Sequence, residues 1–482
     1  MKRWAVLIFI LLSASFAQES ATPKKSNLDV TANWRGRGEF YNWFDQNAAD
    51  RGNYAFGAST LRLGLGQKRA KWDWLAEIEQ PSLFNLPGDA TAPSPQGALG
   101  LGANYYSANA DRNSAFLFLK QAYVRFKFGK DLPALRLGRF EFVDGMEVMP
   151  KDATLASLKK DRIAHRLIGN FAFSHVGRSF DGADLAWTRG KNNLTFFGGR
   201  ATQGVFSVNG MPDLDVNVQY AAYTRQFGSE KMPAEVRAFA IGYEDVRTTL
   251  KVDNRTAAAR AADRSSLLIG TYGLHYLQAA KTRAGTFDAL FWGALQNGSW
   301  GSLAHRARAF ATEIGYQPKD VTWKPWLRAG YFRSSGDSNP TDNEHGTFLQ
   351  ILPTPRIYAR FPFYNAMNSQ DEFAQVQVQP AQKLTVLTGV HWLQLANSKD
   401  LWYSGGGAFD DKTFGYAGRP SNGRSGLANV FDLSATYKFT KQWSAIAYVS
   451  YANGSGVIES IYGSKANAGF GYLELNWNLP QK

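Results

Sequence analysis

Alternation with a period of two, repeated along nearly the whole chain, is the feature that most restricts what this sequence can fold into. In the last such segment Leu473, Leu475, Trp477 and Leu479 alternate with Tyr472, Glu474, Asn476 and Asn478. One apolar and one polar face at that period mean a strand, because successive side chains of a strand point to opposite sides. Residues 28–40 repeat the pattern, with Val30, Ala32, Trp34 and Phe40 opposite Asn33, Arg35, Arg37 and Glu39. Val124, Phe126 and Phe128 likewise oppose Tyr123, Arg125 and Lys127, and Phe431, Leu433 and Tyr437 oppose Asp432, Ser434 and Lys438.

Eighteen strands are predicted, near 28–40, 57–66, 71–80, 115–128, 134–140, 181–188, 193–200, 215–227 and 234–243, then 266–277, 286–296, 304–316, 323–333, 371–379, 383–395, 428–439, 442–451 and 467–479. For most of the chain their connections alternate between short ones, such as 67–70, 190–192 and 380–382, and long ones, such as 81–114, 141–180, 334–370 and 396–427. A sandwich or propeller has no reason to segregate loop length in this way. An antiparallel up-and-down transmembrane β-barrel does, with an even strand count, tight periplasmic turns and long extracellular loops. Phe126, Phe128, Phe227, Tyr437, Phe439, Trp443 and Trp477 sit beside the predicted turns, as an interfacial aromatic girdle would. Because a wide lumen is wet, such a membrane protein can have a mean hydropathy of −0.33 without needing an ordinary globular core.

Lys2 and Arg3, the apolar run Trp4 to Leu12 and the small residues Ser15 and Ala17 make residues 1–17 a predicted signal peptide. Residues 18–27 then form a short tail, too short for a plug domain, and 28–479 a single barrel. No later segment approaches the apolar length of a spanning helix. The chain has no cysteine, which excludes disulfides, thiolate metal sites and cysteine nucleophiles. Its six histidines show no metal-ligand spacing, so no catalytic residue, metal or cofactor is assigned.

Several stretches resemble the alginate-export family of outer-membrane barrels. They are Leu135-Arg-Leu-Gly-Arg-Phe140, Phe180-Asp-Gly-Ala-Asp-Leu185, Ser335-Gly-Asp-Ser-Asn-Pro340 with Asp342, Thr347-Phe348 and Pro353-Thr354, and Asp400-Leu-Trp-Tyr-Ser-Gly-Gly-Gly407. The segment from Asn453-Gly454 to Leu475 is similar in character to the family's last hairpin. The resemblance implies a monomeric 18-stranded barrel in the bacterial outer membrane, whose arginine-lined lumen passes an anionic polysaccharide, alginate, outward. The partners are then outer-membrane lipid, an anionic saccharide, the barrel-assembly machinery and periplasmic polysaccharide-synthesis proteins. Nucleic acid is not among them, since no basic helical stripe is present.

Lys and Arg total 54 against 40 acids, a formal charge of +14. Arginine is permanently charged and grips carboxylates bidentately, so inward arginines favour acidic sugars. Strand parity points Arg35, Arg37, Arg62, Arg125, Lys127, Arg136, Arg225, Arg306, Arg308, Arg328 and Lys438 into the lumen, and Arg139, which follows Gly138, only if the strand bulges or ends there. The competing reading pairs these cations with Glu39, Asp73, Glu77, Glu79, Asp432 and Glu474. Residues 141–180, with Lys159, Lys160, Arg162, Arg166 and Arg178, are predicted to fold inward as a constriction; the alternative is a solvated external loop. Export of anionic polysaccharide is one functional reading. General or sugar-acid uptake is the second, and a barrel enzyme or secreted glycan binder the third.

Overall fold

All eighteen predicted strands are present in the computed structural model, which describes residues 28–44, 51–353, 357–463 and 466–480. The predicted signal peptide, the tail to residue 27 and Thr354 lie outside the described residues. In chain order the strands are β1 (Asp29–Asn42), β2 (Asn53–Lys68), β3 (Trp72–Phe84), β4 (Phe118–Lys127), β5 (Ala134–Phe140) and β6 (Phe180–Arg189). Next come β7 (Asn192–Thr202), β8 (Asp213–Gly228), β9 (Pro233–Asp245), β10 (Leu267–Lys281), β11 (Gly285–Trp300) and β12 (Leu303–Pro318). The last third comprises β13 (Trp326–Ser334), β14 (Ser369–Ala381), β15 (Leu384–Leu395), β16 (Gly426–Lys438), β17 (Trp443–Gly454) and β18 (Asn467–Asn478).

Each strand pairs antiparallel with its sequence neighbour, and the ring closes where β1 pairs with both β2 and β18, Trp34 standing opposite Leu61 on one side and Trp477 on the other. Closure leaves no free edge, which lipid could not hydrogen-bond. Parity follows the predicted faces over most of the wall: Phe431, Leu433, Leu473 and Leu475 are exposed outward, while Tyr472 and Glu474 are buried inside. Phe126, Phe128, Phe227, Tyr437, Phe439 and Trp443 form an exposed aromatic ring beside the short turns. The long connections gather at the other rim. One exception is the hairpin between β11 and β12, closed by Gly301 and Ser302 alone, with Gly301 at φ 61°.

Two of the stretches that carry the family resemblance are partners on adjacent strands. Arg136 stands opposite Asp184, Gly138 opposite Gly182 and Phe140 opposite Phe180. Gly182 in turn opposes Gly199, and a Cβ at Gly182 would lie 2.1 Å from the Gly198 carbonyl oxygen. This glycine row permits a close backbone approach in the wall.

The expectation of a simply wet lumen is corrected. Two buried apolar clusters occupy it, built from inward strand residues such as Val216, Val218, Tyr41 and Phe56 and from loop residues such as Leu155, Leu158, Leu86 and Phe361. Long connections fold inward and carry helices α1 (Leu101–Asn109), α2 (Ala153–Leu158) and α4 (Gly456–Tyr462), while helix α3 (Ala257–Ala262) buries none of its residues. A hairpin of Leu401–Gly405 with Tyr416–Pro420 stands in the connection after β15. Loop residues thus bury their apolar side chains against the wall, as in a globular core.

The outward face supports a stability prediction. Leu433 and Leu475 are lipid-facing, so Leu433→Arg or Leu475→Arg should each cost roughly 2–4 kcal/mol near the bilayer midplane. Urea titration of protein refolded in lipid vesicles should show that loss, and unchanged midpoints for both would contradict the parity.

Candidate permeation path

The connection from β5 to β6 runs inside the barrel, where its side chains and backbone are bound by residues of the inner wall. Asp144 draws its two arms together by accepting the Ile168 backbone N–H at 3.0 Å. Asp152 caps α2 through the Leu155 N–H at 3.1 Å, and a π-helical turn, Lys159–Ile163, follows directly. That turn throws its cations against the wall. Lys159 reaches Glu235 of β9 at 2.7 Å, and His275 of β10 meets the same carboxylate at 3.0 Å. Arg162 and Arg166 share Glu313 of β12 at 3.4 and 3.7 Å, and Arg162 also donates to Gln375. Arg237 of β9 reaches back to Glu147 at 3.0 Å. Burial holds the Lys159 ammonium below its usual range and pushes the Asp144 carboxyl up to about 6.

The returning arm crosses the lumen and is held by its backbone. Arg35 donates to the Ala172 carbonyl at 2.7 Å and also to that of Ser174, while Arg37 donates to the Phe173 carbonyl at 2.9 Å. Thr60 and Lys120 take the carbonyls of His175 and Val176 at 2.7 and 3.0 Å. These wall side chains supply the partners that buried carbonyls of an irregular segment require. Arg178 donates to the Gly406 carbonyl at 2.9 Å, and burial lowers its pKa to about 10.

Two vestibules result. One of about 650 Å³ opens between strand ends at the short-turn rim, among Thr385, Leu387 and Thr436, and is lined by Arg35, Lys160, Arg162, Arg328 and Arg360. The other, of about 550 Å³, lies at the long-loop rim among Asn104, Phe206, Phe409 and Asp411. Phe171 lines the second, and its neighbours Ala172 and Phe173 line the first, so this tripeptide stands between them. Gly406 packs so closely that a Cβ there would lie 2.1 Å from the Phe171 ring.

Most wall cations singled out in the sequence face inward, and most of those that do are paired. Arg37 binds Glu474 through Nε at 2.7 Å, Arg62 binds Glu79 at 2.6 Å, and Arg125 and Lys127 share Asp73 at 3.0 and 2.7 Å. Arg136 pairs with Asp184, and Arg328 with Asp288 at 2.6 Å. Lys438 keeps the inward parity of Ser434 and Thr436 at the short-turn mouth. Four assignments are corrected. The register runs through Gly138 without a bulge, so Arg139 stays on the outward parity of Leu137 and binds Asp181 at 2.7 Å. Arg225 is exposed on the outward parity of Tyr223 and Phe227, next to a short turn. Arg306 and Arg308 share the outward parity of Ile314, which is 68% exposed, while His305, Ala307 and Ala309 face the loops inside. The rule that charge points inward holds only within the hydrocarbon, and these arginines lie near strand ends.

Arg360 was missed. It sits in the connection from β13 to β14, donates to Tyr472 at 2.6 Å and lines the first vestibule. The signal was the segment Ile357-Tyr-Ala-Arg-Phe-Pro-Phe-Tyr364, too aromatic for a solvated loop. Two further family-like stretches meet nearby: Asp400 accepts the Asp337 N–H at 2.8 Å and the Thr347 hydroxyl at 2.6 Å.

The family model for alginate export matches residues 91–465. The chain belongs to the alginate export family. Its fold is also that of solved outer-membrane porins, at identities that speak to the fold alone. Pseudomonas aeruginosa OccK9 (OpdG) superposes with a TM-score of 0.59 at 12% identity, covering 94% of this chain and 98% of that one. Acinetobacter baumannii OccAB2 gives 0.56 at 8% identity, with 94% and 98% covered. P. aeruginosa OccK2 (OpdF) in complex with glucuronate gives 0.54 at 10% identity, with 94% and 96% covered. No curated protein matches. The protein is therefore an outer-membrane porin, with its short turns toward the periplasm and its long loops outside.

Two consequences can be measured. Glu313→Ala removes the shared partner of Arg162, Arg166 and Arg328; breaking a buried pair typically costs about 3–5 kcal/mol. Limited proteolysis of the folded barrel should then cut within 141–179, where the parent resists. Phe171→Ala should raise single-channel conductance in planar bilayers, since it removes the ring packed against Gly406.

Proposed function

We propose that this porin passively conducts carboxylated saccharides, with an alginate-type polyuronate as the fitting cargo. The observation that carries the reading is the imbalance in the periplasmic vestibule. Among the described residues Arg35, Lys160 and Arg360, which line it, form no ion pair, whereas Arg37, Arg162 and Arg328 are compensated by Glu474, Glu313 and Asp288. Among the described residues only Asp161 and Glu474 bring carboxylates to that lining. A cavity with excess positive charge and low-dielectric walls focuses potential and raises the local concentration of anions. Guanidinium groups spread over its surface favour repeated weak contacts over one tight site, which a moving polyanion requires.

Uptake of small sugar acids is the second reading, favoured by the glucuronate complex of the structurally similar OccK2. A passive channel follows the gradient, so one lumen serves either direction. The basic vestibule is common to both readings.

In planar bilayers under a KCl gradient the reversal potential should indicate anion preference, strongest at low ionic strength because screening acts within about 8 Å at physiological salt. Oligouronates added on the periplasmic side should block the small-ion current. Arg35→Gln, Lys160→Gln and Arg360→Gln together should shift selectivity toward cations, and cation preference in the parent protein would refute the proposal. The pH dependence has a defined sign. Burial holds His165 down to about 4 and raises Asp161 above the usual aspartate range, and both line this vestibule. Acidification from pH 7 toward 4 therefore charges the one and neutralises the other, so anion selectivity should increase.

A further inference from the structure

The outer wall carries a second basic feature that conduction does not use. On the outward face of β10 to β13, Leu274 stands opposite Gly293, Gly293 opposite Phe310, and Phe310 opposite Arg333. One row nearer the long-loop rim, Tyr272, Leu295 and Arg308 are aligned in the same way. Gly293 has no side chain to fill the space between its neighbours, and a groove of about 610 Å³ runs here, walled by Leu274, Phe291, Leu295 and Phe310. Leu295 is 63% exposed. Arg308 and Arg333 line the groove toward the extracellular side.

Other outward cations near this rim are neutralised: Arg139 by Asp181, Arg200 by Asp213 at 3.1 Å, and Arg306 by Glu344 at 3.4 Å. Among the described residues neither Arg308 nor Arg333 has a carboxylate partner. Arg333 spends donors on Gln370 at 2.8 Å and on the Ala396 carbonyl at 3.1 Å, and Glu372 on the adjoining strand takes a hydrogen bond from Gln370. Both arginines are exposed.

We infer that this groove is a docking site for one phosphorylated glycolipid of the outer leaflet. The apolar floor over Gly293 accepts an acyl chain, and the two guanidinium groups take the headgroup phosphate. Position and charge argue together: the groove starts among lipid-facing residues and ends at the level where anionic headgroups lie. Arginine matches phosphate through paired N–H donors, which an isolated lysine cannot do.

Native mass spectrometry of the delipidated full-length barrel, titrated with bis-phosphorylated lipid A, tests this. The parent should retain the phosphorylated lipid about tenfold better than the dephosphorylated form, a difference of about 1.4 kcal/mol. Arg308→Gln with Arg333→Gln should erase that difference, Gly293→Leu should weaken both lipids, and Arg306→Gln, already neutralised in the parent by Glu344, should leave binding intact. Heat-modifiable migration on gels verifies that each variant is folded. Equal retention of both lipids by the parent would overturn the inference. So would undiminished preference in the double variant, or equal competition by phosphatidylglycerol.

Discussion

A polypeptide in hydrocarbon must hydrogen-bond every backbone group to itself, and the rest of this structure depends on how it does so. The pairing of β1 with β18 removes the last free edge. Once the ring is closed, period-two side chains have only two destinations, lipid and lumen. That division explains how a chain with negative mean hydropathy spans a membrane: its apolar residues form a skin on the wall and, through the inward loops, a filling inside.

Many charges on the inner wall are engaged with the loop inside it. Lys159 on Glu235, Arg162 and Arg166 on Glu313, and Arg237 on Glu147 fasten one long connection across the lumen, while Arg35, Arg37, Thr60 and Lys120 bind its backbone carbonyls. Desolvating such pairs is costly, so their gain is definition of a single loop position more than stability. Arg35, Lys160 and Arg360, which have no ion-pair partner among the described residues, line the periplasmic vestibule. Both the porin architecture and the family membership are compatible with a cargo whose charge opposes that residue of uncompensated cations.

Lumen and outer wall use the same side chain for different ends. Inside, arginine bridges wall and loop through carboxylates and carbonyls. Outside, at Arg308 and Arg333, it lines a glycine-floored groove with no carboxylate partner among the described residues, the place the proposed lipid phosphate would take.

Strand number, parity and the sorting of short and long connections were legible because each is a local property: alternation along one strand decides its faces, and turn residues decide where it reverses. All eighteen strands follow from that rule, as does the inward set Arg35, Arg37, Arg62, Arg125, Lys127, Arg136, Arg328 and Lys438. The rule misassigned Arg306, Arg308 and Arg225, since near the rims an outward position meets headgroups and water instead of hydrocarbon, and the unbroken register at Gly138 leaves Arg139 outward. The sequence by itself thus determined a closed barrel and most of its inner face. Only the tertiary structure decided that Glu235 and Glu313 receive Lys159, Arg162 and Arg166, that Phe171 meets Gly406, and that Arg360 enters the lumen. Those meetings join residues distant along the chain, and no alternation within a single strand encodes which loop fills the space the wall encloses.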